Sequence, residues 1–342
     1  MVATVAEIDG KEGGGQILRT ALSLACVLQK SVRIANIRSS RPNPGIQAQH
    51  LAGILALAKL FSAEVNGAEK GSQTLEFSPR RLKSEALRFD IGTAGSTSLL
   101  FQALLPPLLF SKQSTSLELI GGTHVAWAPT TDYLKRVFLP LLEKTGARAS
   151  FEITRLGWYP KGQGVLKVRV EPLNLLKPIL LVEQGALETI EGAACYSLLP
   201  KHVVERMRET TLKHFPNADI AINSSGASSP GAALTLWAKT KNSILGASAL
   251  AKLGVPAEKI AEEAVRSLES ELSSKASVDK HACDQLLLYS ALAEGKSEFK
   301  TSEITEHART NMRVIEQLTN ARFSVNEDEK VISVKGIGFK RR

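Results

Sequence analysis

An order of strand, helix, strand, helix, strand, strand recurs along this chain at intervals on the order of eighty residues, and it constrains the fold more than any single motif. In the first pass the apolar spacing predicts a strand over Val2–Ala6 and a helix over Gly14–Gln29, with Ile17, Leu18, Ala21, Leu22, Ala25 and Leu28 on one face. A strand at Val32–Ile37, a helix at Ile46–Phe61 and a hairpin from Val65 and Leu75–Phe77 complete it. The second pass runs through a strand at Leu87–Ile91, a helix at Gly95–Phe110, a strand at Leu117–Ile120, a helix begun by Pro129, and strands Ala149–Arg155 and Val165–Val170 around the turn 159–164. The third opens at Ile179–Val182 and resumes only near Lys280, with helices at His281–Glu294 and Glu306–Leu318 and strands at Arg322–Val325 and Val331–Val334.

The stretch between has its own helical patterns at Lys201–His214 and Ala257–Leu272 and strands at Ile220–Asn223 and Ala232–Trp237. The expected fold class is therefore α+β: three βαβαββ repeats formed by 1–184 together with 279–342, and a smaller α/β inserted domain over 185–278. The small-residue loop Ser224 to Gly231 reads as a hairpin connection.

Composition limits what such a fold could serve. No apolar run reaches membrane length and no basic-then-apolar signal opens the chain, so a cytoplasmic protein with no membrane partner is expected. Cys26, Cys195 and Cys283 lie far apart without C-x-x-C spacing, which supports neither a disulfide framework nor a structural zinc site. A net charge of +9 favours a polyanionic partner, nucleic acid or a phosphorylated ligand.

Several small-residue passages lead from strands into helices. Glu12-Gly13-Gly14-Gly15-Gln16 frees the backbone at a helix start, where exposed amides attract anions, but it is neither a Walker loop nor a dinucleotide fingerprint. Arg38 and Arg41 sit three apart on a loop stiffened by Pro42, Pro44 and Gly45, able to present two guanidinium forks to phosphate, with Gln49 and His50 in the helix that follows. A solvated loop and a packing histidine are the plainer readings. Asp90 to Ser98 is a second such passage, with Thr93 placed to cap, and Gly121 to Pro129 a third. Trp127 and Tyr133 beside it could stack a base or pack in the core.

The last helix carries the sharpest signal. Thr305 is the expected N-cap of Glu306–Leu318, which puts His307 in the first turn, where the helix dipole disfavours imidazolium and leaves a neutral nucleophile or base. Asn311 shares its face four residues on, while Ala308, Met312 or Ile315, and Leu318 form the buried stripe.

Taken together, Glu12 to Arg19, Arg41 to Gly45 with Gln49-His50-Leu51, Gly92 to Ser96 through Gln102, Gly121-Gly122-Thr123 through Pro129, Tyr159 to Gly162, His281 to Gln285 and His307 to Asn311 resemble the RNA 3′-terminal phosphate cyclases, over essentially the whole chain. That family has three repeats of an α+β unit, shared with the enolpyruvyl transferases, plus an inserted domain. The resemblance implies conversion of an RNA 3′-phosphate to a 2′,3′-cyclic phosphate at the expense of ATP, with His307 taking AMP covalently. It further implies ATP contacts from Gln102 and from His281, Ala282, Cys283, Asp284 and Gln285, with Pro129 and Tyr133 beside the adenine. Arg19, Arg38, Arg41, Gln49 and His50 would meet phosphate and the RNA end, and Glu12 would ligate Mg2+ or Mn2+ on the triphosphate. The turn before Glu12 is shorter than the family pattern, and Gln163 interrupts a glycine triplet. A non-catalytic cyclase-like ribosome-assembly protein, an enolpyruvyl transferase and a simple RNA-binding module are the alternatives; oligomeric state is left open.

Overall fold

The alternating apolar residues of the first pass close into a four-stranded sheet in the computed structural model of the chain, which describes residues 5–12, 14–82 and 87–341. Residues 2–4 of the expected first strand, Gly13 of the glycine run and Arg342 lie outside the described residues. Strands β1 (Ala6–Asp9), β2 (Val32–Ala35), β3 (Glu64–Asn66) and β4 (Leu75–Ser78) lie in the order β1-β2-β4-β3, with β1 parallel to β2 and the other pairs antiparallel. Helices α1 (Gly15–Leu28) and α2 (Ala48–Phe61) make the connections. The Ile17, Leu18, Ala21, Leu22 and Ala25 stripe of α1 is buried, and the helix ends where Gln29 turns left-handed.

The second pass repeats that order. Strands β5 (Leu87–Asp90), β6 (Thr115–Gly121), β7 (Arg148–Arg155) and β8 (Gly164–Glu171) run β5-β6-β8-β7 in the same senses. Its helices are α3 (Thr97–Leu109) and α4 (131–143), the latter containing a π-helical turn over Leu134–Phe138. Two expectations are corrected here. Ser96, not Thr93, caps α3: its Oγ accepts from Leu99 N at 3.1 Å, whereas the Thr93 hydroxyl takes Gly95 N at 3.2 Å and only shapes the turn. Pro129 does not open α4, because Thr130 is the N-cap, accepting from Tyr133 N, and Pro129 stays in the loop.

After β9 (Leu180–Leu181) the chain builds β10 (Leu187–Ser197), α5 (His202–His214), β11 (Asp219–Ser224), β12 (Gly231–Thr240), β13 (Ile244–Leu250) and α6 (Ala257–Ser273). The sheet order is β11-β10-β12-β13. Then follow α7 (Lys280–Leu292), β14 (Glu294–Lys300), α8 (Glu306–Leu318), β15 (Arg322–Asn326) and β16 (Val331–Ile337), and β9 joins them in the order β9-β14-β16-β15. Among the described residues the molecule is thus a mixed α/β protein of four small sheets.

Period-two alternation divides β10 and β12 between two cores. Ala193, Cys195, Ala233 and Trp237 join the main core, while Ala194, Leu234, Leu236 and Ala238 join a second one with Val204 and Met207 of α5 and Ile260, Ala264 and Leu268 of α6. The 185–278 stretch therefore has a core of its own on one face and is packed to the body on the other. The Ser224 to Gly231 loop is not a hairpin connection, because β10 lies between β11 and β12. It docks instead on the turn after β7: Arg155 donates to Ser228 Oγ at 2.6 Å, Lys161 N donates to Ser229 Oγ at 3.2 Å, and Gly231 lies against the Trp158 ring.

Candidate active site

Helix α8 presents the expected histidine because Thr305 fixes its start. The Thr305 hydroxyl accepts from Ala308 N at 3.0 Å and donates to Asp284 Oδ1 at 2.8 Å, tying the first turn of α8 to α7. Asn311, one turn past His307, is buried: its side-chain oxygen accepts from Thr20 Oγ1 of α1 at 2.6 Å and its amide donates to the Asp284 carbonyl at 2.9 Å. These bonds set α1 and α8 side by side, so Gln16 in the first turn of α1 meets His307 in the first turn of α8. His307 Nδ1 donates to Gln16 Oε1, which places the ring proton on Nδ1 and leaves the Nε2 lone pair free. His307 is exposed, yet desolvation, then Arg19, Arg41 and His281, lower its pKa below the ordinary imidazole value. That lowering favours the neutral imidazole at pH 7.

Around it lie cations without anions. Among the described residues, Arg19, Arg38 and Arg41 take part in no ion pair. Burial brings the Arg19 guanidinium down to about 10, still charged at neutral pH, and burial followed by Arg41 lowers Arg38. Arg38 also holds a left-handed backbone at φ 55° and donates to the Asn43 carbonyl at 3.2 Å, while its Nε is buried without a partner. A concentration of guanidinium charge with open donors is a site for phosphate.

His50 belongs to the cluster, but one ring nitrogen is spoken for. As the third residue of α2 its Nδ1 accepts from Gln47 N at 3.1 Å, closing a capping box, and its Nε2 edge lies against Gly15, where a Cβ would fall 2.2 Å from it. Burial, then Arg38 and Arg19, push its pKa down to about 4. A base held neutral in the fold contributes stability above its ordinary pKa of 6.5, and this is lost as pH falls toward 4. His50→Gln keeps a capping acceptor and does not titrate. In urea melts the stability of wild type relative to this variant should fall by up to about 3 kcal/mol across that window, and a constant difference would refute the linkage. Gln49 accepts from Ser96 N at 3.4 Å and so links α2 to the start of α3.

The residues assigned to nucleotide divide. Gln102 and Gln285 are half-buried, and Gln102 Nε2 and Gln285 Oε1 are buried with no hydrogen-bond partner. Such atoms call for a ligand or water. His281 is exposed, Pro129 half-exposed, and Asp284 is pushed up to about 7, chiefly by burial. Tyr133 is corrected: it is buried, its hydroxyl donates to Asp279 Oδ1 at 2.6 Å, and it meets His281 edge-on with ring centroids 6.4 Å apart, so it offers no face to a base. Ala282 and Cys283 are likewise buried, and their backbone N–H groups donate to Asp279. Trp127, by contrast, is fully in solvent.

Glu12 is exposed and bonded by Arg313, whose two terminal nitrogens each reach Glu12 Oε2 at 3.1 Å. Among the described residues Glu12 belongs to no group of three such side chains at metal-ligand spacing. The group with such spacing is His124, Asp132 and Cys195, all buried. They are bonded to one another, His124 Nε2 donating to Asp132 Oδ2 at 2.9 Å and Cys195 Sγ at 3.3 Å, which ties β10 to α4. Sequence spacing had no means of finding this triad, because its members come from two separate parts of the chain. Burial raises the pKa of all three cysteines, Asp132 adding to it at Cys195. Native protein should therefore leave 5,5′-dithiobis(2-nitrobenzoate) unreacted until it unfolds; rapid titration of a thiol in buffer would contradict that burial.

Sequence comparison adds an independent finding. A family model described as RNA 3′-terminal phosphate cyclase matches residues 10–325. A protein named RNA 3′-terminal phosphate cyclase from Pyrobaculum aerophilum is 45% identical over 344 residues, covering 98% of this chain and 99% of its own length. Proteins of the same name from Thermococcus onnurineus and Nitrosospira multiformis are 44% and 43% identical, over 93% and 96% of this chain and 94% and 96% of their own lengths. Among solved structures, an EPSP synthase from Acinetobacter baumannii covers 98% of this chain and 66% of its own at 10% identity and a TM-score of 0.26, too slight a likeness to argue from.

Proposed function

The chain belongs to the RNA 3′-terminal phosphate cyclase family, and on that premise we propose that it closes an RNA 3′-phosphate into a 2′,3′-cyclic phosphate with ATP through an AMP adduct on His307. The observation that carries the mechanism is the His307 ring itself: neutral, its proton held on Nδ1 by Gln16, its Nε2 free, and Arg19 and Arg41 near enough to depress its pKa.

A phosphate monoester offers its neighbouring 2′-hydroxyl no good leaving group, so the 3′-phosphate has to be activated first. His307 Nε2 attacks the α-phosphorus of ATP, forming an N–P bond as the bond to pyrophosphate breaks. The guanidinium groups draw off the charge that develops on the phosphates. In the adduct the imidazole still carries its Nδ1 proton, so it leaves readily when an oxygen of the RNA 3′-phosphate attacks the same phosphorus. The resulting phosphoanhydride lets the 2′-oxygen displace AMP as its proton is lost. That closure is intramolecular, where effective molarities reach roughly 10⁵ to 10⁸ M.

Gln102 and Gln285, with buried and unpartnered amide atoms, are the side chains we assign to ATP. His281 and Pro129 flank the base, while Ala282 and Cys283 pack beneath it in α7 and Asp284 holds Thr305. Arg38, Arg41, Gln49 and His50 take the RNA end. A Mg2+ or Mn2+ ion is then part of the substrate, carried by the triphosphate, with Glu12 its one carboxylate once Arg313 lets go. We also read β1–β4, β5–β8 and β9 with β14–β16 as three copies of one βαβαββ unit, since all share one strand order, and 185–278 as an insertion in the third. A cytoplasmic location fits the chain, in which no helix of the described residues is long and apolar enough to cross a membrane. A non-catalytic relative would have no use for a poised imidazole.

The test is incubation with α-labelled ATP and a divalent metal, followed by acid and alkali treatment. An acid-labile, alkali-resistant protein adduct that passes its AMP to 3′-phosphorylated RNA is expected. If the wild-type protein forms none, the reading is wrong.

A further inference from the structure

The Trp127 indole is 99% exposed on a backbone held left-handed at φ 65°, a conformation that bulky side chains rarely adopt. The loop that carries it is fixed at both ends. Gly122 N donates to the Gly95 carbonyl at 2.8 Å, Thr123 N to the Gly157 carbonyl at 2.9 Å and Thr131 N to the Thr123 carbonyl at 3.2 Å, while His124 and Val125 are buried. A fold that strains its backbone and anchors both flanks to keep an indole in water has built a platform. Tyr159, 78% exposed, lies on the adjoining turn beside exposed Lys161, and the Trp158 ring behind it packs on His124 at 5.0 Å between centroids.

A chain of contacts links both loops to the proposed site. A Cβ on Gly162 would fall 2.8 Å from Ala94 Cα, so the Tyr159 turn rests on the turn before α3. That turn is held by Gln49, the neighbour of His50, and His50 lies against Gly15, next to Gln16 and thus to His307.

We propose that Trp127 is a stacking platform for a base of the RNA substrate upstream of its 3′-phosphate, flanked by Tyr159 and Lys161. The idea rests on the cyclase reading for the identity of the strand. A base stacks on an indole whatever its sequence, so the platform adds affinity without sequence preference. The adenine of ATP has the same chemistry and is the competing occupant.

Of the three tryptophans, Trp158 and Trp237 are buried, so the red edge of the emission spectrum reports Trp127 alone. A 3′-phosphorylated decaribonucleotide, added without ATP, should quench that emission and shield it from acrylamide; ATP alone should do neither. Trp127→Ala should raise the KM for the decamer about tenfold, one stacked base. It should leave the KM for a nucleoside 3′-phosphate and the rate of auto-adenylylation unchanged, and Trp127→Phe should restore most of the affinity. Shielding by ATP alone would make adenine the occupant and overturn the proposal. So would an unchanged decamer KM with adenylylation intact. If no adduct forms in the wild type the cyclase reading fails by itself, and the binding measurement still decides whether RNA covers Trp127.

Discussion

His307→Ala should abolish the AMP adduct, a loss of at least about a thousandfold in adenylylation rate, since removing a covalent nucleophile leaves only binding and electrostatic stabilisation. The side chain is exposed and, among the described residues, bonded only to Gln16, so the variant should melt within about 0.5 kcal/mol of wild type and the loss cannot be blamed on unfolding. Other nucleophiles on the chain are poorly placed to substitute. The cysteines are buried as thiols, and His50 spends Nδ1 on its capping box with Nε2 against Gly15. His281 is exposed and near, which makes His281→Ala the discriminating control: it should weaken ATP binding and keep the adduct. The pH profile gives a second check. Because desolvation and the arginines lower the His307 pKa, the acid limb of adenylylation should fall below the ordinary value of 6.5. A limb above it, or an adduct surviving in His307→Ala, would move the chemistry elsewhere.

Individual residues show why part of this site is legible in the sequence and part is not. The expected helix Glu306–Leu318 matches the structure at both ends, because a threonine cap and an unbroken apolar stripe are local signals. Strand β14, in contrast, reads Glu-Gly-Lys-Ser-Glu-Phe-Lys and carries no strand pattern, although it lies between β9 and β16; only Ser297 and Phe299 are buried. Strand β10 escaped notice because Gly192, Ala193 and Ala194 lack β-branched bulk, their place set by the two cores that they separate. The histidine could be read as special from its position in the first helical turn. Gln16 could not be, since it and His307 are 291 positions apart and meet only because Thr20 and Asn311 clamp α1 to α8. Trp127 went the other way: aromatic residues beside a helix start usually pack inside, whereas this one stands in solvent on a left-handed backbone.

Gln16→Leu should slow adenylylation about a hundredfold while leaving the KM for ATP close to wild type. The amide carbonyl accepts the Nδ1 proton of His307 and so selects the tautomer whose Nε2 lone pair points outward. Leucine fills similar volume and accepts nothing, leaving the ring free to rotate and to protonate at either nitrogen. Removing a buried carboxylate that orients a catalytic histidine costs roughly 10⁴-fold; a neutral, half-buried amide should matter less. Because packing alone could also slow the reaction, Gln16→Glu separates the two roles. Its carboxylate accepts the same proton but also stabilises imidazolium, so the rate should return at pH 8 and the acid limb should shift upward, opposite to the lowering by Arg19 and Arg41. If Gln16→Leu adenylylates like wild type, or Gln16→Glu restores rate without moving the limb, Gln16 does not set the tautomer and the orientation of His307 must come from bound ATP.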